Sequence, residues 1–122
     1  MLSREPQDEG ILDFCAEKGV GFISFAPLAQ GLLTDRYLPK EQTQDYQIPA
    51  DSRMAKGKFL KESMLTPELL NKLRGWNDEA LGKGQSLAEY ALRWVLQQRG
   101  VTSVLVGASS VSQLEKNCLC IK

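Results

Sequence analysis

The 122-residue chain contains no histidine. It therefore supplies no imidazole general base, no histidine metal ligand and no Ser-His-Asp triad. Net charge is lacking too: 15 basic residues balance 15 acidic ones with no long basic run, so the sequence carries no electrostatic footprint for nucleic acid. No apolar run approaches the length that crosses a bilayer, and no membrane insertion is expected. The opening stretch, Met1 to Gly10, has no signal-peptide apolar core, so a cytoplasmic location is the expectation. Cysteine is sparse and odd in number. Cys15 falls on the apolar face of an expected helix and reads as a buried thiol. Cys118-Leu-Cys120 has neither a second ligand pair nor a histidine to help it, so no metal site is expected.

What is present is the composition of a globular domain, 43% hydrophobic and 25% charged. Its most informative stretch is Val101 to Asn117. Val101, Val104, Leu105 and Val106 make a nearly continuous apolar run of strand length, as expected where both faces of a parallel sheet are covered. Gly107 permits a sharp turn and close approach of a ligand. Ser110 followed by Gln113 fits a capping box, so a helix is predicted to begin there. The first amides of a helix lack internal partners and lie at the positive end of its dipole. The stretch is thus a candidate phosphate cradle at the carboxyl end of a strand. Simple capping by Ser109 and Ser110 is the alternative reading.

Elsewhere, Asp8 to Glu17 places Ile11, Leu12, Cys15 and Ala16 on one helical face and stops at Gly19. Gly21 to Phe25 is a strand candidate ended by Pro27. Leu38 to Leu65 is mostly aperiodic, with a polar run from Lys40 to Asp45, and is expected to be either a functional lid or poorly ordered. Thr66-Pro67 opens a helix whose buried side is predicted as Leu69, Leu70, Leu73, Trp76, Ala80 and Leu81, closed by Gly82 and Gly84. Ser86 to Glu89 is a second capping box, opening a helix with Ala88, Ala91, Leu92, Val95 and Leu96 inward that stops near Gly100. Strands alternating with helices imply an α/β fold with parallel pairing. Two such strands alone make a poor sheet.

Phe25-Ala-Pro-Leu-Ala-Gln-Gly-Leu-Leu-Thr-Asp-Arg-Tyr37, Ile48-Pro-Ala-Asp-Ser-Arg53 and Gly107-Ala-Ser109 together resemble the aldo-keto reductases. The branch is the one holding bacterial glyceraldehyde-phosphate reductases and potassium-channel β subunits. The resemblance runs over almost the whole chain, with three motifs in order. It implies the carboxyl-terminal portion of a (β/α)8 TIM-type barrel, incomplete over residues 1–122, since such barrels usually need about 200 residues or more. Met1 to Glu5 resembles the end of the sixth strand, Gly21 to Phe25 the seventh and Val101 to Val106 the eighth.

The resemblance further implies NADP as cofactor and a small carbonyl compound as the parent's substrate. Phe25, Ala26, Pro27, Leu28, Ala29 and Gln30 match the loop that wraps the dinucleotide. Arg36 stands where relatives place a pyrophosphate-binding Lys, and Arg53 matches an arginine at the adenosine end. Gly107, Ser109, Gln113 and Asn117 match contacts with the adenine ribose and its 2′-phosphate. Lys116 departs from the Glu usual there. The family's Asp, Tyr, Lys and His have no counterpart in this chain, so no catalytic residue is assigned and no turnover is expected. A regulatory or scaffolding subunit and a gene remnant are the alternative readings. Uncovered strand edges and an open barrel interior imply self-association.

Overall fold

The structure is a computed structural model that describes residues 1–38, 48–50, 52, 54–57 and 60–120. In order, α1 covers Glu5–Asp8, α2 Ile11–Lys18, β1 Phe22–Phe25, α3 Pro67–Gly82, α4 Leu87–Leu96, β2 Val101–Leu105 and α5 Val111–Leu119. The helix expected over Asp8 to Glu17 is α2, which begins at Ile11, while Asp8 ends the separate α1. Gly10 turns left-handed between them, with φ of 74°, and breaks the ladder that the apolar spacing alone would have continued. Gly19, at φ of 65°, ends α2, and the amide of Val20 returns to the carbonyl of Cys15 (2.9 Å).

Both central helices begin where their caps dictate. The hydroxyl of Thr66 accepts from the amide of Leu69 (3.2 Å), one turn into α3, with Pro67 at its first position. At α4 the capping box is complete: Ser86 Oγ accepts from the Glu89 amide (3.3 Å), and Glu89 Oε2 accepts from the Ser86 amide (2.8 Å). That backbone bond, with the Ser86 hydroxyl, holds the Glu89 carboxyl below its ordinary value of 4.5.

β1 and β2 pair in parallel, with Ile23 opposite Ser103, Ser24 opposite Val104 and Phe25 opposite Leu105. Helix α4 packs against β2, and α5 against α4. The expectation that both sheet faces are covered does not hold within this chain. Side chains alternate between faces, and the face carrying Ile23, Phe25 and Leu105 is open, these residues being 64%, 79% and 65% exposed. An apolar run reads the same whichever element covers it. Leu81, predicted to be inward, is also exposed: within α3 it stands about 100° round the helix from Ala80, off the packed stripe of Leu73 and Ala80.

Two apolar clusters form the core. Leu33, Leu38, Leu73, Leu87 and Ala91 make the first, with Leu28, Ala29, Leu69 and Trp76 packed against it. Leu32, Tyr37, Met54 and Leu60 make the second. The second belongs almost wholly to the long connection after β1, so the described part of that connection is a packed structure. Among the described residues no helix is long and apolar enough to cross a membrane.

Candidate nucleotide site

The pairing of Phe25 with Leu105 in parallel strands sends residues 26–30 and 106–110 out from the same end of the sheet. Neighbouring strands lie about 4.8 Å apart, so the two connections start side by side. This is the carboxyl end, where α/β folds bind ligands.

The first connection is backbone-strained. Ala26, Ala29 and Gln30 have φ of 49°, 47° and 60°, and they are the non-glycine residues in the left-handed region among those described. Each costs about 1–3 kcal/mol, and such strain persists only where surrounding structure over-determines it. Here Pro27 is buried, while Leu28 and Ala29 pack on the first core cluster. The amide of Leu33 returns to the carbonyl of Leu28 (3.1 Å), closing the loop on itself. Phe25 and Ala26 stay exposed at its mouth. Arg36 lies on a short 3₁₀ turn, Asp35–Tyr37, capped by Thr34, whose hydroxyl accepts from the Arg36 amide (3.3 Å). Arg53 lies outside the described residues.

The second connection holds a prepared acceptor position. Ser110 Oγ accepts from the Gln113 amide (3.2 Å), so α5 begins where expected. The reciprocal half of the predicted capping box is shifted by one residue. Gln113 Oε1 accepts from the amide (2.7 Å) and hydroxyl (3.0 Å) of Ser109, not from Ser110. The carboxamide oxygen thus stands where an anion's oxygen would receive two donors. No acidic side chain occupies the first turn of α5, leaving its dipole uncompensated. Gly107, Ser109 and Gln113 are all exposed, so this cradle opens to solvent.

One turn beyond, Asn117 differs from Gln113 in being buried, 7% exposed. Its Nδ2 and the Oε1 of Gln30 are buried with no hydrogen-bond partner among the described residues. Such atoms are rare in folded proteins and call for a ligand or water. A third, Nε of Arg93, belongs to a guanidinium whose Nη2 already donates to the Leu119 carbonyl (3.2 Å). The acceptor on the first connection and the donor on α5 are each open to a polar partner.

Among the described residues at this end, Gln30, Ser109 and Gln113 are neutral hydrogen-bonding groups. Tyr90 lies on α4, where its hydroxyl donates to Glu79 (2.6 Å), and that bond raises its pKa. Cys120 is buried on α5, and burial pushes its thiol up, away from thiolate reactivity. Among the described residues no group of three or more Asp, Glu or Cys side chains is placed to hold a metal. Tyr37, which the sequence marks only as part of a motif, is the residue that reading by pattern missed: it is buried between the loop and Met54 and Leu60.

The sequence profile of the aldo/keto reductase family matches residues 1–121. An L-glyceraldehyde 3-phosphate reductase of Escherichia coli O157:H7 is 48% identical over 121 residues, covering 96% of this chain and 33% of that protein. A probable voltage-gated potassium channel subunit beta of Oryza sativa subsp. japonica is 32% identical over 119 residues, 96% of this chain and 34% of the relative. An NADH-specific methylglyoxal reductase of Escherichia coli K12 is 31% identical over 117 residues, again 96% and 33%. The chain spans about a third of the length of the curated relatives it matches.

Proposed function

The chain belongs to the aldo/keto reductase family, and on that premise we propose that it is the nucleotide-gripping part of an NADPH-dependent carbonyl reductase. The observation that carries this reading is the pairing of the left-handed Ala26–Gln30 loop with the Ser109–Gln113 cradle at one end of a parallel sheet. When bound, the nicotinamide dinucleotide supplies a hydride to an aldehyde or ketone. This chain's own residues bind and orient it. Residues 25–30 present backbone along the dinucleotide, and Gln30 Oε1 accepts a hydrogen bond from it. Arg36 offers a guanidinium to its phosphates. Ser109, the first amides of α5 and a released Gln113 side chain receive the 2′-phosphate, and Asn117 donates to the adenine. No described residue is assigned as the acid of the carbonyl-reducing step, so the proposal includes no turnover by this chain alone.

The open sheet face of Ile23, Phe25 and Leu105 supports association with another polypeptide, a second copy included. Sedimentation of the purified chain is expected to show species heavier than a monomer. A single monomeric species would remove that part of the reading.

Titration of the chain with NADPH, followed by nucleotide fluorescence, is expected to show saturable binding with Kd below about 1 mM, a free energy near −4 kcal/mol. NADH should bind about fivefold or more weakly, because the uncompensated α5 amides favour the extra phosphate. No signal at millimolar NADPH would sink the reading. Equal affinity for the two nucleotides would leave a dinucleotide site and remove the 2′-phosphate assignment.

A further inference from the structure

We propose that Tyr37 is a positioning residue for the nucleotide site: its ring and hydroxyl dock Met54 and Leu60 onto the left-handed loop, so that they and the loop are held as one unit. The inference rests on the reading above and deepens it. Tyr37 is 1% exposed and closes the 3₁₀ turn that also carries Arg36. Its hydroxyl accepts from the Met54 amide (3.4 Å). On its other side the ring reaches the loop: a Cβ added at Gly31 would lie 3.5 Å from Tyr37 Cε2.

Each partner also makes hydrogen bonds of its own among the described residues. Around Met54 the chain makes local bonds: Ser52 amide to Pro49 carbonyl (2.9 Å), Ala55 amide to Ser52 Oγ (3.2 Å) and Gly57 amide to Met54 carbonyl (3.0 Å). The loop likewise closes through Leu28 and Leu33. Tyr37 joins them, with Leu32, Met54 and Leu60 completing the cluster and Ala29 packed against it. Ala29 touches both core clusters while holding a positive φ. A strained residue needs that kind of enclosure to stay where it is. Loosening Tyr37 from Met54 therefore releases the loop's outer wall and the backbone from which Arg36 projects.

Tyr37→Phe keeps the ring and removes the acceptor. The expected result is faster hydrogen exchange at the Met54 amide and about three- to tenfold weaker NADPH binding, the size of one lost buried hydrogen bond. A comparison variant, Ala80→Gly on α3, lowers stability by a similar amount through helix propensity without touching the loop. It is expected to bind NADPH like the parent chain, whereas a merely structural role for Tyr37 would make the two variants behave alike. NADPH affinity unchanged in Tyr37→Phe overturns the proposal. Absence of binding by the parent chain overturns the functional reading instead, and the parent titration tells the two failures apart.

Discussion

Gly100→Ala is expected to lower the stability of the chain by about 2–5 kcal/mol, a large fraction of the margin of a typical domain. Two separate causes add. Gly100 has φ of 89°, a conformation that costs a residue with a Cβ about 1–3 kcal/mol. The added Cβ would also lie 2.4 Å from the carbonyl oxygen of Leu12, a backbone atom that cannot swing away. Leu12 is the buried residue of α2, and Gly100 immediately precedes β2, so the clash separates the helix from the strand that ends in the nucleotide cradle. Gly84→Ala is the internal comparison: its φ is 68° but the space around it is open. That variant should lose only about 1–2 kcal/mol, the conformational part alone. Denaturant titration followed by tryptophan fluorescence measures both. Equal losses in the two variants would show that the contact between α2 and the start of β2 is looser than described.

Gln113→Glu is expected to move stability and binding in opposite directions. In the folded chain the Gln113 carboxamide oxygen already accepts from the amide and hydroxyl of Ser109. A carboxylate there accepts the same two donors with charge assistance and sits in the first turn of α5, where negative charge is favoured by about 0.3–1 kcal/mol. The melting temperature should therefore rise slightly. Nucleotide affinity should fall steeply, because the new charge occupies the position assigned to a phosphate oxygen. Two like charges about 4 Å apart repel by about 4 kcal/mol near a protein surface before screening. A net penalty of about 2–3 kcal/mol, or roughly 30- to 100-fold in Kd, follows once salt screens part of it. Stabilisation without loss of NADPH affinity would place the phosphate elsewhere.

Features fixed by a few neighbouring residues were legible in the sequence. Thr66, Ser86 and Ser110 each begin a helix because a cap needs only its own side chain and the amide one turn on. The two strands were legible for a similar reason, being short apolar runs bounded by turn residues. Where two local signals compete, pattern alone could not choose. The Ile11 and Leu12 spacing is the same whether the helix starts at Asp8 or after a break at Gly10. Either Ser109 or Ser110 could have received the Gln113 side chain, and in the structure Ser109 does.

The second core was illegible for a different reason. Leu32, Tyr37, Met54 and Leu60 lie on irregular backbone, so no period marks them, and only their mutual contact makes them a cluster. The strain at Ala26, Ala29 and Gln30 is hidden as well, since Ala and Gln ordinarily avoid positive φ. Those positions were reachable from sequence only through the family resemblance. The structure adds a physical reason for singling them out: a costly backbone held between two packed clusters.

The central claim is that the connections after β1 and β2 grip one nucleotide together. Amide chemical shifts of the ¹⁵N-labelled chain, followed through an NADPH titration, test it most directly. The largest changes are expected in both residues 26–31 and residues 107–113, following a single binding curve. Changes confined to one of the two connections, or centred on the exposed sheet face of Ile23, Phe25 and Leu105, would contradict it.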